Sequence, residues 1–297
     1  MTTPKQIQTV GVISKPRQPA LAELVPELIS WLEARSIRTL LDRETAGSLD
    51  PAYRSRLTCP ILARAELVAR CDLVIVLGGD GTLLAAARHV RPFDIPILAV
   101  NLGSLGFLTA VTIGELYESL LQVLKAEHQI DRRKMLQINV VRSGCESIAY
   151  HALNDAVLNK GAISRISDFE TYIDGRFLNL FKADGLIVST PTGSTAYCLA
   201  AGGPIVHPAV EAFIITPICS HTLTNRPLVV SDQSRVEVVV KTEAESVFLT
   251  VDGQVGLALH SGDKVACALS SHCINLVRPA SKQFYEVLRS KLKWGER

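Results

Sequence analysis

Over residues 1–132, short β-branched runs alternate with segments of helical period. Residues 10–13, 39–41, 73–77 and 97–100 read as strands, and the last two are continuously apolar, as strands covered on both faces require. Between them Leu21, Leu24, Leu28 and Leu32 recur at helical spacing, with Pro26 predicting a late start or a kink. Further helices are predicted over residues 83–89 and 113–125, the second with Leu116, Leu120 and Leu124 on one face. This alternation predicts an α/β N-terminal domain on a Rossmann-like parallel sheet.

The texture changes after the charged cluster Asp131, Arg132, Arg133 and Lys134, which reads as a solvated linker with the boundary near residue 132. Beyond it come short alternating runs separated by Asp-Gly and Gly turns, at residues 136–141, 148–153, 170–173, 186–189, 236–240, 247–251, 264–269 and 274–277. They predict an all-β, sandwich-like C-terminal domain over residues 133–280. Ser281 then reads as the cap of a last helix within residues 281–297, carrying Phe284, Leu288 and Leu292.

Composition narrows the classes. With 47% hydrophobic and 20% charged residues among 297, the chain can bury a substantial core and is not a disordered polymer. A formal charge of only +2 provides no global field for a polyanion, so nucleic acid is not an expected partner. Seven cysteines, an odd number without a C-x-x-C pair, fit neither a disulfide framework nor a structural zinc site and point to a reducing cytoplasm. The start MTTPKQIQTV lacks the pattern of a secretory signal, and the apolar stretch over residues 97–111 is too short and too interrupted to span a bilayer. No membrane association is expected.

Candidate chemistry lies at two turns. The buried run 73–77 feeds into Gly78-Gly79-Asp80-Gly81-Thr82 and then a helix, which places glycines at the carboxyl end of a parallel strand, where open α/β sheets bind ligands. Glycines admit close backbone approach and a helix start offers N–H groups to phosphate oxygens. Leu84 stands where a dinucleotide fingerprint would need its third glycine, and no P-loop occurs, so ordinary dehydrogenases and P-loop enzymes are disfavoured. The bland alternative is a tight turn in which Asp80 caps the next helix. The second turn, Thr190-Pro191-Thr192-Gly193-Ser194-Thr195-Ala196-Tyr197, follows Asp184-Gly185 and another apolar strand. Its hydroxyls can bond phosphate and sugar oxygens and its tyrosine can cover an adenine.

GGDGT followed by DGLIVSTPTGSTAY resembles the NAD kinase family over nearly the whole chain. The first motif is shared with diacylglycerol and sphingosine kinase-like proteins and marks a kinase superfamily; the second is far more specific. Asn154-Asp155 matches the short Asn-acidic motif between them, and Asp252-Gly253-Gln254 the turn that follows. The resemblance implies phosphorylation of the 2′-hydroxyl of the adenosine ribose of NAD by ATP, with the NAD site between the two domains and the C-terminal helix returning to the first. It implies Asp80 as the catalytic carboxylate, with Gly78, Gly79, Gly81 and Thr82 around the donor phosphates. Asn154 and Asp155 would bond sugar hydroxyls, and Asp184, Thr192, Ser194, Thr195, Ala196 and Tyr197 would hold the ends of the dinucleotide, with Gln254 nearby. Lys182 stands where some members carry arginine, and Arg165 lies in a variable stretch where a basic residue often meets substrate; a lysine supplies charge without a bidentate fork. A homodimer or homotetramer is implied.

His151, His207, His221 and His260 have no metal-ligand spacing and read as surface or hydrogen-bonded histidines, so no protein-bound metal is assigned. A divalent cation, magnesium, is expected to arrive with ATP. The competing reading is a diacylglycerol-type lipid kinase sharing GGDGT, which gives no reason for TPTGSTAY; a non-catalytic dinucleotide sensor would lack the carboxylate at position 80.

Overall fold

A computed structural model describes residues 6–109, 111–142, 147–161, 167–241, 247–278 and 283–295. The chain forms two units, Met1–Arg132 with Ile274–Arg297, and Arg133–Cys273.

In the first unit the strands are β1 (Thr9–Ser14), β2 (Arg38–Asp42), β3 (Ile61–Leu62), β4 (Leu73–Leu77), β5 (Pro96–Asn101) and β6 (Val111–Thr112). They pair in parallel in the order β3-β2-β1-β4-β5, with β6 beside β5. The helices are α1 (Leu21–Glu33), α2 (Arg43–Gly47), α3 (Pro51–Arg54), α4 (Arg64–Val68), α5 (Asp80–Val90) and α6 (Leu116–Leu124). Every residue of β4 is buried, which is why its sequence is a continuous apolar run rather than an alternation. Pro26 does not delay α1, which begins at Leu21 and runs through it. Its missing N–H forfeits one bond near the helix start, and the six buried side chains of the core-facing stripe outweigh that loss. The stretch 113–125 divides into a 3₁₀ turn, Ile113–Glu115, closed by a Thr112/Glu115 capping box, and then α6.

The second unit contains β7 (Gln129–Val141, which enters it at Arg133), β8 (Ile148–Ala152), β9 (Asp155–Lys160), β10 (Ser167–Ile173), β11 (Arg176–Ala183), β12 (Gly185–Ser189), the short helix α7 (Tyr197–Ala200), β13 (Ala212–Ile218), β14 (Leu228–Ser231), β15 (Val236–Val240), β16 (Val247–Val251) and β17 (Val255–Leu259). One antiparallel sheet runs β14-β13-β12-β9-β16-β17. A facing layer contains β11, β10 and β15, flanked by Val265–Cys267 of β18 (Lys264–Arg278), and β7 with β8. The two layers share a core that includes Leu158, Phe169, Leu186, Phe213, Val238 and Leu249. The expected strands at 264–269 and 274–277 are one continuous strand, whose last residues Asn275 and Leu276 pair with β5 in the first unit. The final helix, α8 (Phe284–Leu292), is capped by Gln283 and Glu286 and buries Phe284, Val287 and Leu288; Ser281 lies outside the described residues.

The charged cluster at 131–134 is not a solvated linker. Arg133 is 3% exposed, Lys134 is ion-paired with Asp232 and Glu211, and Asp131 is ion-paired with Arg278. Only Arg132 is exposed, because β7 continues through the cluster and hydrogen bonding in the strand fixes these side chains beside partners. The described cysteines, Cys59, Cys71, Cys198, Cys219, Cys267 and Cys273, are free. No helix among the described residues is long and apolar enough to cross a membrane.

Candidate active site

In the first unit, the loop Gly78–Gly79 joins β4 to α5. Gly78 donates to the Val100 carbonyl at 2.9 Å, which ties the loop to the end of β5, and α5 begins at Asp80 itself. The amino end of an 11-residue helix therefore opens directly onto the glycines, an arrangement that favours anions. Asp80 makes no cap bond to its own helix. Its carboxylate instead collects the turn that follows β5: Oδ2 accepts from Phe107 N (2.9 Å), and Oδ1 from Leu108 N (3.1 Å), Thr109 N (3.0 Å) and Thr109 Oγ1 (3.0 Å). Gly106 is required there, because a Cβ would run into Asp80 Oδ1 and Thr109 Oγ1. Asn101 completes the turn, donating to Ser104 O and Thr109 Oγ1 and accepting from Gly103 N. Asn101, Gly106 and Thr109 were not singled out from sequence. The available signal was an asparagine, two glycines and a serine breaking an apolar run at and just after the end of a buried strand adjacent to β4.

In the second unit, residues 153–155 are held from both sides. Asp252 accepts from the backbone N–H groups of Leu153 (3.0 Å), Asn154 (2.8 Å) and Asp155 (3.3 Å). Opposite, Thr190 Oγ1 donates to Leu153 O at 2.6 Å, and Thr190 N and Ser189 Oγ donate to Asn154 O at 2.9 and 3.2 Å. Gly193 packs so closely on the Asn154 carbonyl that no Cβ fits. Held in this way, Asn154 keeps its side-chain Oδ1 buried without a hydrogen-bond partner, an arrangement that costs free energy unless a ligand donor fills it. Asp155 is 4% exposed, and burial, followed by the nearby Asp252 charge, pushes its carboxyl up to about 7.

The hydroxyls of the second turn are partly spent on the turn itself. Ser194 donates to Pro191 O at 2.6 Å and accepts from Val206 N at 3.0 Å, and Thr195 reaches Thr192 O. Thr192 Oγ1 accepts from the buried Arg133 at 3.1 Å, a brace that the sequence reading missed. Tyr197, 43% exposed at the start of α7, presents its ring outward, and Ala196 before it is half-buried. Asp184 is paired with Lys160 at 2.8 Å, while Lys182 and Gln254 are exposed. Gln254 follows the left-handed pair Asp252 (φ 50°) and Gly253 (φ 63°) in the turn between β16 and β17. Arg165 lies outside the described residues. No cluster of three His, Cys, Asp or Glu side chains placed to hold a metal occurs among the described residues.

Comparison with known proteins gives the same two-part division. The family model of the ATP-NAD kinase N-terminal domain matches residues 10–128, and that of the ATP-NAD kinase C-terminal domain matches residues 153–279. These matches define the class: a protein with the paired domains of ATP-NAD kinases. The chain is 49% identical over 291 residues to an NAD kinase of Solibacter usitatus, covering 98% of this chain and 99% of that one. It is 50% identical over 294 residues to an NAD kinase of Citrifermentans bemidjiense, covering 99% and 100%. Among solved structures, a yeast NADH kinase complexed with NADH superposes with a TM-score of 0.90 at 29% identity, covering 99% of this chain and 89% of that one. The chain belongs to the NAD kinase family.

Proposed function

We propose that this protein transfers the terminal phosphoryl group of ATP to the 2′-hydroxyl of the adenosine ribose of NAD, forming NADP; relatives named NAD kinase and a family model named for ATP-NAD kinases support NAD as acceptor and ATP as donor. It is a phosphotransferase with an alcohol acceptor; the relatives give the lipid kinase alternative no support. The observation that carries the acceptor assignment is Asn154: a buried, unpartnered oxygen on a clamped backbone is a preformed acceptor for a ligand hydroxyl or amide. Asp155 beside it, with a carboxyl near neutrality, can either accept from or donate to a ribose oxygen.

On the donor side, Gly78, Gly79, Gly81 and Thr82 with the amino end of α5 would receive phosphate oxygens. The divalent cation, magnesium in this reading, arrives on the triphosphate as part of the donor substrate and neutralises charge developing on the transferring group. A carboxylate has about four acceptor sites. Oδ1 of Asp80 already accepts from three donors and Oδ2 from one, so Oδ2 is the oxygen with room for the ribose hydroxyl. Asp80 orients the hydroxyl and accepts its proton late, as the phosphoryl group arrives. Tyr197 is available to cover a base, with Thr192, Ser194 and Thr195 shaping the turn beneath it and Asp184, Lys182, Arg165 and Gln254 contributing polar groups. The free cysteines among the described residues fit work in a reducing cytoplasm; the homodimer or homotetramer rests on the family resemblance alone.

The test is NADP formation from NAD, ATP and magnesium by the purified protein, against a control without donor. Absence of product overturns the reading, and turnover of diacylglycerol in its place restores the lipid kinase.

A further inference from the structure

Asp252 is chemically unusual for a turn residue. It is 5% exposed and adopts a left-handed conformation (φ 50°). Its carboxylate faces away from solvent to accept three successive backbone N–H groups, at Leu153, Asn154 and Asp155. Its own N–H donates to Asp155 O at 3.0 Å, so the tip of the β16–β17 hairpin and the start of β9 are joined reciprocally. A tight turn needs none of these bonds; an Asp-Gly pair forms one unaided. Burying one carboxylate close to another, Asp155, is unfavourable, and the fold accepts it at the place where Asn154 keeps an unfilled acceptor.

We infer that Asp252 is a positioning residue for the dinucleotide: its carboxylate fixes the Asn154-Asp155 backbone so that both side chains are aimed at the ligand before it binds. The inference rests on the reading that Asn154 and Asp155 touch NAD. Asp252 itself touches no substrate and acts through these two residues. Its charge has a second effect, because it holds the neighbouring Asp155 carboxyl above its ordinary range, in addition to the larger effect of burial. The described titratable groups whose charges bear on Asp155 are Asp252, from the β16–β17 turn, and Cys198, from α7; β12 pairs Ser189 with Asp155 and brings the Ser189 hydroxyl to the Asn154 carbonyl. The Cys198 thiol is itself pushed up by burial and by Asp155, so it brings no negative charge near neutral pH.

The experiment compares Asp252→Asn and Asp155→Asn with the parent full-length protein, measuring Tm, KM for NAD and for ATP, kcat, and the pH profile of kcat/KM for NAD. Asparagine keeps one oxygen for Asn154 and Asp155 and turns an NH₂ toward the Leu153 N–H, donor against donor. Loss of a charged acceptor predicts an increase of about tenfold or more in KM for NAD, with KM for ATP within about twofold. The limb of the pH profile that Asp155→Asn abolishes should move to lower pH in Asp252→Asn, because the like charge has gone. A merely structural turn residue would lower Tm without moving that limb. If Asp155→Asn changes NAD kinetics while Asp252→Asn leaves both KM and the limb at parental values, the positioning role is overturned. If Asp155→Asn changes nothing, it is the placement of NAD on Asp155 that fails. Should Asp252→Asn melt more than about 10 °C below the parent, Asp252→Glu replaces it: the charge is kept but displaced by a methylene, so KM for NAD should rise while the limb stays, and a parental KM overturns the inference.

Discussion

Asp80→Asn separates two tasks that the structure gives to one carboxylate. As a mere helix cap, asparagine would serve nearly as well and both stability and rate would survive. The structure sends the Asp80 bonds elsewhere, to Phe107, Leu108 and Thr109. An amide has one acceptor oxygen; if it keeps the three Oδ1 partners, its NH₂ opposes the Phe107 N–H. Losing one charge-assisted bond and weakening the remaining three should cost about 2–4 kcal/mol. For a chain of this size that is a fall in Tm of about 3–6 °C. Turnover should fall at least ~10²-fold, the scale of a positioned proton acceptor, with KM for NAD little changed. Gly106→Ala provides the counterpart, since its new Cβ displaces the 106–109 turn while leaving the Asp80 charge intact, and it should reproduce the loss of Tm. Melting, NAD affinity and kcat measured on the same preparations decide the matter. An unchanged Tm in Asp80→Asn refutes the clamp, and near-normal turnover refutes the catalytic assignment independently.

Asp155 predicts a pH dependence of stability. Its carboxyl, raised from the ordinary 3.8 to about 7, keeps a proton in the folded chain that the unfolded chain releases, so its contribution to stability falls as pH rises from about 4 to 7. Asp155→Asn should remove that fall and gain on the parent by an amount on the order of 4 kcal/mol by pH 8; denaturant melts at pH 5 and pH 8 that shift in parallel would contradict it. The same variant should weaken NAD binding by about 1.5–3 kcal/mol, visible as a rise in KM. In Gly193→Ala the new Cβ would press on the Asn154 carbonyl and displace the Asn154-Asp155 segment, so KM for NAD should rise about tenfold or more with KM for ATP nearly constant. A parental KM for NAD would mean that the turn yields without moving Asn154. Excess chelator should abolish NADP formation, and full activity in its presence would remove the divalent cation from the donor.

The α/β half was legible because its signals are local. β4 reads as a strand from five apolar residues alone; α5, expected over residues 83–89, begins earlier, at Asp80, and takes Gly81 into its first turn. The second unit was less so. Strand β13 is buried throughout, yet Pro217 argues against a strand; the structure accommodates it beyond Ile215, the last residue paired with β14, where no ladder needs its N–H. Strand β17 carries Gly256, and β11 mixes exposed Phe177 and Leu180 with polar residues, so neither shows a clean alternation. The charges of 131–134 read as solvated because their partners, among them Asp232, Glu211 and Arg278, are far away in sequence.

The candidate site divides along the same physical line. Side chains that would meet ligand form motifs, and motifs can be read; what holds those side chains in place forms none. The donors to Asp80 lie 27 to 29 residues away and those to Asp252 lie 97 to 99 away, and most of them are backbone N–H groups. Every residue except proline carries such a group, so the donor side of the bond leaves no mark on residue identity. Only the acceptor is specified, and for Asp80 and Asp252 its identity is equally compatible with a turn, a cap or a base. This is why Asp252 could be placed in a motif from sequence but given no role, and why Ser194, grouped with the ligand-facing hydroxyls, is occupied with Pro191 and Val206. A residue in a binding motif thus divides its hydrogen-bonding capacity between ligand and scaffold. Asn154, whose backbone is fully engaged while its side-chain oxygen is not, is the position where that division favours the ligand most clearly.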